Sequence, residues 1–204
     1  MKTTYAIILI LFFGETVCCM TSCKNNSKAT EQISSEKQDT TAPKKVDPGN
    51  NPYNDLRNMA LGATAKQIGV QFSTDQTKIY GIIMDWDLGE GTATLVSFLS
   101  GDASVYLSSG GGFIGAGQHD NVKKAGIALI NKAEKYLNKS TKTEVAPLPE
   151  KDGVLFYFLT NKGKFVGKEN IKNLENHSSG WSDLFDEANK LISEIRIISA
   201  SKSK

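Results

Sequence analysis

Three apolar segments that follow one another almost without interruption constrain the fold of this 204-residue chain more than any other feature. They read KIYGIIMDWD, TATLVSFLS and ASVYLSS, and only short turns separate them. Connections this short join antiparallel neighbours, so the sequence predicts a three-stranded meander. The first segment alternates as a β-strand does, with Tyr80, Ile82, Met84 and Trp86 on one side and Ile79, Ile83, Asp85 and Asp87 on the other.

Two amphipathic segments predict long helices on either side of a hairpin. In HDNVKKAGIALINKAEKYLN, and again from Trp181 to Ile198, apolar residues return at steps of three and four. His119 or Asp120 can cap the first helix, and Ser178 or Ser179 the second. Between these helices, VLFYFLT and KFVGK flank a glycine-containing turn, as the two strands of a hairpin do.

The flanking segments complete the predicted fold. NPYNDLRNMAL predicts a short helix before the sheet, and Thr64 with Gln67 forms a capping box that predicts another. Residues 140–152, with two prolines, predict an irregular loop. Helices segregated from five antiparallel strands give an α+β two-layer sandwich. This outline is similar to that of profilin-like and roadblock-like domains, although the roadblock pattern has two strands and then three, and this chain has three and then two.

The strand from Val154 to Leu159 is apolar without alternation, which predicts that both of its faces are shielded from water. Two long helices can cover only one face of the sheet. The other face must be covered by the N-terminal helices or by a second copy of the protein, and we expect the helices to cover it.

Residues 1–22 have the layout of a secretory signal peptide: a lysine, an apolar run from Tyr5 to Phe13, and then small or polar residues. The run is about half of the roughly 20 residues that a membrane-spanning helix needs, so we expect export followed by cleavage. All three cysteines, Cys18, Cys19 and Cys23, lie at the end of this segment, so disulfides do not hold the folded part together.

The sequence MTSC, which ends at Cys23, resembles the lipobox of bacterial lipoproteins, where an apolar residue and two small residues precede the modified cysteine. The resemblance implies that Cys23 becomes the acylated N-terminus, and that its lipid holds the protein at a membrane of the bacterial cell envelope. The alternative is ordinary secretion with cleavage nearby, which would leave Cys23 unmodified.

Residues 23–51 are polar and have no hydrophobic period, so they predict a disordered linker. Such a linker would let the folded part sit roughly 25 to 30 Å from its anchor.

Residues 52–204 predict one globular domain. They carry 18 lysines and arginines against 17 aspartates and glutamates, and only two of the basic residues are arginines. A nearly neutral, arginine-poor domain argues against nucleic-acid binding.

The stretch SSGGGFIGAGQHDNV contains a Gly-x-Gly-x-x-Gly pattern followed by a predicted helix start. The context argues against a dinucleotide site, since the preceding strand belongs to an antiparallel meander. Two alternatives remain. The glycines form a tight corner, which we favour, or their N–H groups and the helix N-terminus bind a small anion. The candidate anion-binding residues are Gly110, Gly112, Gly115, Gly117, His119 and Lys123.

Other patterns predict neither a catalytic nor a metal site. The segment DWDLGEG lacks calcium-binding ligands at positions five and twelve of a calcium loop, and His119 and His177 have no zinc-ligand spacing. Ser108, Ser109, His119 and Asp120 lack the nucleophile elbow of a hydrolase. Asp85 and Asp87 share a strand face and could form an acid–base pair, but no partner is evident.

The sequence therefore predicts a membrane-tethered envelope lipoprotein that acts as a non-enzymatic binding or interaction module, without a cofactor. Its partners would be the membrane, through the lipid on Cys23, and a protein partner or a second copy. Two alternatives stay open. One is an enzyme or receptor for a small anionic ligand at the Gly110 to Gly117 loop. The other is an immunity or inhibitor protein for a secreted partner.

Overall fold

The computed structural model describes residues 52–72 and 75–202. The predicted signal peptide, Cys23 and the linker lie outside these ranges. The described part is α+β, with an open antiparallel sheet of seven strands and four α-helices. None of these helices is long and apolar enough to cross a bilayer. The elements are α1 (Tyr53–Gly62), β1 (Ile79–Asp87), β2 (Thr92–Phe98), β3 (Ala103–Leu107), β4 (Gly112–Phe113), α2 (Asp120–Ala133), β5 (Thr141–Thr143), β6 (Gly153–Thr160), β7 (Gly163–Asn170), α3 (Ile171–Glu175) and α4 (Ser182–Lys202).

The strands lie in the order β4-β3-β2-β1-β6-β7-β5, with β1 at the centre. The predicted meander is present, and β4 extends it at one edge of the sheet. After α2 the chain resumes at the opposite edge with β5, and the predicted hairpin of β6 and β7 then fills the space between β5 and β1. Strand β1 is apolar on both sides because its side chains pack in two buried clusters, one on each face of the sheet.

The prediction of five strands is wrong, because the sheet has seven. Strand β4 lies in the glycine-rich stretch, and β5 lies in the segment predicted as an irregular loop. With two and three residues, these strands are too short to show an alternating pattern. They form because the outer edges of β3 and β7 offer backbone groups for pairing.

The prediction that one strand face carries Tyr80 together with Ile82 is also wrong. Ile79 pairs with Thr160 and Gly81 with Leu159, so β1 has one more residue than β6 at this point. This extra residue is a β-bulge, which reverses the side-chain alternation before Gly81. Tyr80 therefore lies on the same face as Ile83.

Helices cover both faces of the sheet, so the domain has three layers and not the two that the sequence predicts. On one face, α2, α3 and α4 pack against alternate residues of β1 and β6. On the other face, α1 packs against a cluster of side chains that includes Ile83, Val96 and Tyr157. Strand β6 is apolar without alternation because Phe156 and Phe158 face the first layer, while Tyr157 and Leu159 face α1.

Only some of the helix-capping interactions that the sequence predicts are formed in the structure. Thr64 and Gln67 form both hydrogen bonds of the capping box, but a single turn follows, and Gly69 leaves it with a positive φ of 75°. The predicted second N-terminal helix is therefore wrong. His119 is the N-cap of α2 but makes no side-chain capping bond. Before α4, Ser179 Oγ accepts a hydrogen bond from the N–H of Trp181.

Trp181 provides a test of the packing between the helices and the sheet. Its indole stacks on Phe156 with 5.5 Å between ring centroids. A Cβ at Gly167 would lie 2.0 Å from this ring. Because aromatic neighbours hold the indole, we expect Gly167→Ala to lower the free energy of unfolding by about 1–3 kcal/mol.

The measurement is urea unfolding followed by tryptophan fluorescence. Gly62→Ala is the matched control, because no atom lies within 4 Å of a Cβ built at this α1 residue. We expect this control to be neutral, or to raise the free energy of unfolding by up to about 1 kcal/mol. Equal midpoints for the two variants would contradict the packing described here.

Candidate functional site

The glycine-rich stretch forms an edge of the sheet and then a turn into α2. Gly112 belongs to β4, and a 3-10 turn at Ala116–Gln118, which contains Gly117, leads into α2. The N–H of Gly110 donates to Leu107 O, and the N–H of Gly115 donates to Ser104 Oγ. These two donors therefore already have partners within the protein.

Two of the glycines are required by close backbone contacts. A Cβ at Gly112 would lie 2.2 Å from Val105 O, and one at Gly117 would lie 2.3 Å from Gly101 O. Any larger residue would push the strand or the turn away from its neighbour. These contacts give the glycines a structural role at the corner.

The remaining candidate anion-binding residues lie at the start of α2. His119 is half-buried and Lys123 is exposed. The aliphatic part of Lys123 packs over the β2–β3 turn, where a Cβ at Gly101 would lie 2.4 Å from its Cγ. The proposed anion site stays a prediction.

The two aspartates of β1 are separated from this loop by the sheet itself. Asp85 pairs with Thr94, Thr94 with Tyr106, and Tyr106 with Gly112. Three steps at the usual strand spacing place Asp85 about 14 Å from Gly112. Asp87 Oδ2 accepts a hydrogen bond from the N–H of Asp152 at 2.9 Å. Each aspartate thus contacts a different part of the chain, and Asp85 does not approach the loop.

A buried ion pair joins α1 to the centre of the sheet. Arg57 Nε and Nη2 both donate to Asp85 Oδ2, at 2.9 and 2.6 Å. The carboxylate is fully buried, and Arg57 is 5% exposed. The other carboxylate oxygen accepts a hydrogen bond of 2.5 Å from the hydroxyl of Thr94 on β2. Because the Thr94 hydroxyl donates its proton to Asp85, it accepts a hydrogen bond from the Tyr53 hydroxyl at 2.8 Å.

The same arginine holds the segment before β6. Arg57 Nη2 donates to the carbonyl oxygens of Ala146 and Pro147, both at 3.0 Å. Tyr157 donates to the Pro147 oxygen at 2.6 Å, and the Arg57 guanidinium lies 5.7 Å from the centre of its ring. Four parts of the chain therefore meet at one guanidinium, which ties α1, β1, β6 and this segment together.

The pKa values follow from this burial. Burial lowers the pKa of Arg57, but the hydrogen bond and the charge of Asp85 outweigh that effect, so the pKa is raised above its usual value. Burial, together with the negative charge of Asp85, raises the pKa of Tyr157 to about 12, although Arg57 acts in the opposite direction. Burial also raises the pKa of Tyr53. At neutral pH the Arg57 guanidinium and the hydroxyls of Tyr157 and Tyr53 therefore keep their protons.

The sequence contained a signal for this cluster that pattern reasoning missed. Tyr53, Arg57 and Leu61 recur at four-residue intervals and form the buried face of α1. A charged residue within such an apolar stripe requires a buried partner, and Asp85 lies in the middle of an apolar strand. The pairing itself needed the fold, since 28 residues separate the two side chains.

A shallow apolar groove lies beside α1, on the side away from the Ala146–Pro147 segment. Its volume is about 280 Å³, and none of its lining residues carries a charge at neutral pH. Met59, on its rim, is 70% exposed, the largest exposed fraction among the large apolar side chains of the described residues. The groove is lined by Leu56, Met59, Ala60, Gly62, Ala63, Gln67, Phe98 and Tyr106.

Comparisons with known proteins assign no function to the buried ion pair or to the groove. No protein-family model, curated protein or solved structure matches the chain.

Within residues 52–72 and 75–202, no three His, Cys, Asp or Glu side chains are grouped so that they could hold a metal ion.

The ion pair generates a stability prediction. Arg57→Met leaves the Asp85 carboxylate buried without its counter-charge, so we expect a loss of about 3–5 kcal/mol in the free energy of unfolding. Arg57→Met combined with Asp85→Leu removes both charges, and we expect a loss smaller than the sum of the two single substitutions.

Urea unfolding of the four chains measures this double-mutant cycle. Arg196→Met is the matched control, because Arg196 is exposed on α4 and we expect a change within about 0.5 kcal/mol. The role assigned to the pair is wrong if Arg57→Met costs no more than Arg196→Met.

Proposed function

We propose that this protein is a lipid-anchored, non-enzymatic interaction module of the bacterial cell envelope. The signal-peptide layout of residues 1–22, the lipobox-like MTSC at Cys23 and the polar linker support the anchoring. The domain would then be held near a membrane surface and would act through contact.

The observation that carries the proposal is the apolar surface of α1. An exposed methionine on the rim of an uncharged groove is typical of surfaces that bind another protein, and methionine adapts well to such contacts. Helix α1 is also the first element along the chain after the predicted linker.

The small-anion alternative ranks second. The N–H groups of Gly110 and Gly115 already have acceptors, and the two aspartates that could assist chemistry lie elsewhere. No specific contact favours the immunity or inhibitor alternative. The profilin-like or roadblock-like outline stays a prediction, and a fold of that kind would not by itself indicate a function.

The anchoring can be tested by metabolic labelling of the full chain with a palmitate analogue in a bacterial host. We expect a labelled protein in the membrane fraction, and we expect Cys23→Ala to lose both the label and the membrane association because the acceptor thiol is gone. The matched control is Cys18→Ala with Cys19→Ala, which should keep both. Label that persists in Cys23→Ala would exclude this anchor.

The contact surface can be tested by photo-crosslinking in the same cells. A benzophenone amino acid at position 59 should form crosslinks to protein, because this side chain lies on the proposed surface. Position 197 is the matched control: Ile197 is 64% exposed, but it lies on α4, in the layer on the opposite face of the sheet. Equal crosslinking from the two positions, or none from position 59, would overturn the proposed contact surface.

A further inference from the structure

We infer that the α1 surface binds the same surface of a second copy of this chain, as a two-fold symmetric dimer with the two α1 helices antiparallel. The inference rests on the proposed function, because it names the partner of that surface. Three features of the described residues support it: shape, charge and the distribution of exposed apolar side chains.

The first feature is shape. A two-fold interface uses one patch on both copies, so that patch must be complementary to itself. The α1 surface has both parts that this requires: the projecting Met59 and, directly beside it, the groove of about 280 Å³. A groove of this volume accommodates a methionine side chain. Met59 of each copy can therefore enter the groove of the other.

The second feature is charge. Asp55 and Lys66 are both exposed, and they flank the patch at opposite ends of α1. Asp55 lies one helical turn before Met59, on the same side of the helix. Lys66 lies in the turn after α1, next to Gln67 of the groove. In an antiparallel pair, Asp55 of each copy faces Lys66 of the other, whereas a parallel pair would bring like charges together.

The third feature is the distribution of exposed apolar side chains. The segment that Arg57 binds beside α1 carries Val145 and Leu148, which are 69% and 45% exposed. Together with Met59, half of the six large apolar residues exposed in the described part lie on this layer. Exposed apolar side chains thus lie on both sides of α1, and contact with a second copy would remove part of this apolar surface from water.

Co-purification of two differently tagged full chains tests the inference. Both are produced in one bacterial host, crosslinked with formaldehyde in the intact membrane, then extracted in detergent and purified through one tag, and the second tag is quantified. We expect the copies to co-purify, and we expect Met59→Glu in both to reduce recovery of the second tag about tenfold or more, since a carboxylate would enter the partner's groove. Ile197→Glu is the matched control and should leave the recovery unchanged.

A charge exchange tests the antiparallel arrangement. We expect Asp55→Lys in both copies to reduce recovery, because it brings two lysines together at each end. Combining it with Lys66→Asp should restore the recovery. Urea midpoints of these variants should equal that of the unchanged protein, because the substituted side chains are exposed.

The outcomes separate this inference from the proposed function. Failure of the unchanged copies to co-purify, equal effects of Met59→Glu and Ile197→Glu, or no rescue by the charge exchange would overturn the dimer. Crosslinks from position 59 to a different protein would also overturn it, while the interaction module would stand. Crosslinks to a second copy of this chain would support both.

Discussion

The placement of α1 depends on one buried ion pair. The Asp85 carboxylate lies at the centre of the sheet, where an unpaired charge would be very costly. Arg57 neutralises it, and can do so only when α1 lies across β1 in one register. A purely apolar contact would tolerate a sliding or rotated helix, whereas the two guanidinium bonds do not. We therefore expect the pair to contribute specificity of placement more than net stability.

The rest of the α1 layer follows from this placement. With Arg57 directed at the sheet, Tyr53 and Leu61 also face inward, while Leu56 and Met59 are turned toward the groove and the solvent. The two backbone carbonyl oxygens that Arg57 also binds, those of Ala146 and Pro147, belong to the segment before β6. One guanidinium thus sets both the outer face of α1 and its neighbouring segment, which together form the proposed contact surface.

The sequence predicted the parts of the fold that depend on local pattern. The meander, the hairpin and the long helices all follow from periodicity and turn residues over seven or more positions. The short strands at Gly112 and Thr141 could not be predicted, because they exist only through pairing with β3 and β7. The bulge before Gly81 is equally non-local, since it depends on the register of β1 against β6. The same limit applies to Arg57 and Asp85: each was visible as a charge in an apolar pattern, but only the fold pairs them.

The proposed anchor reduces the interface area that the α1 surface needs for two copies to associate. Two copies free in solution would need a large interface to offset the entropy lost on association. Copies held at one membrane by the predicted linkers would already have lost part of that freedom, and each would lie in a thin layer around the others. Their effective concentration is then high, so a small apolar groove and two charge pairs can suffice.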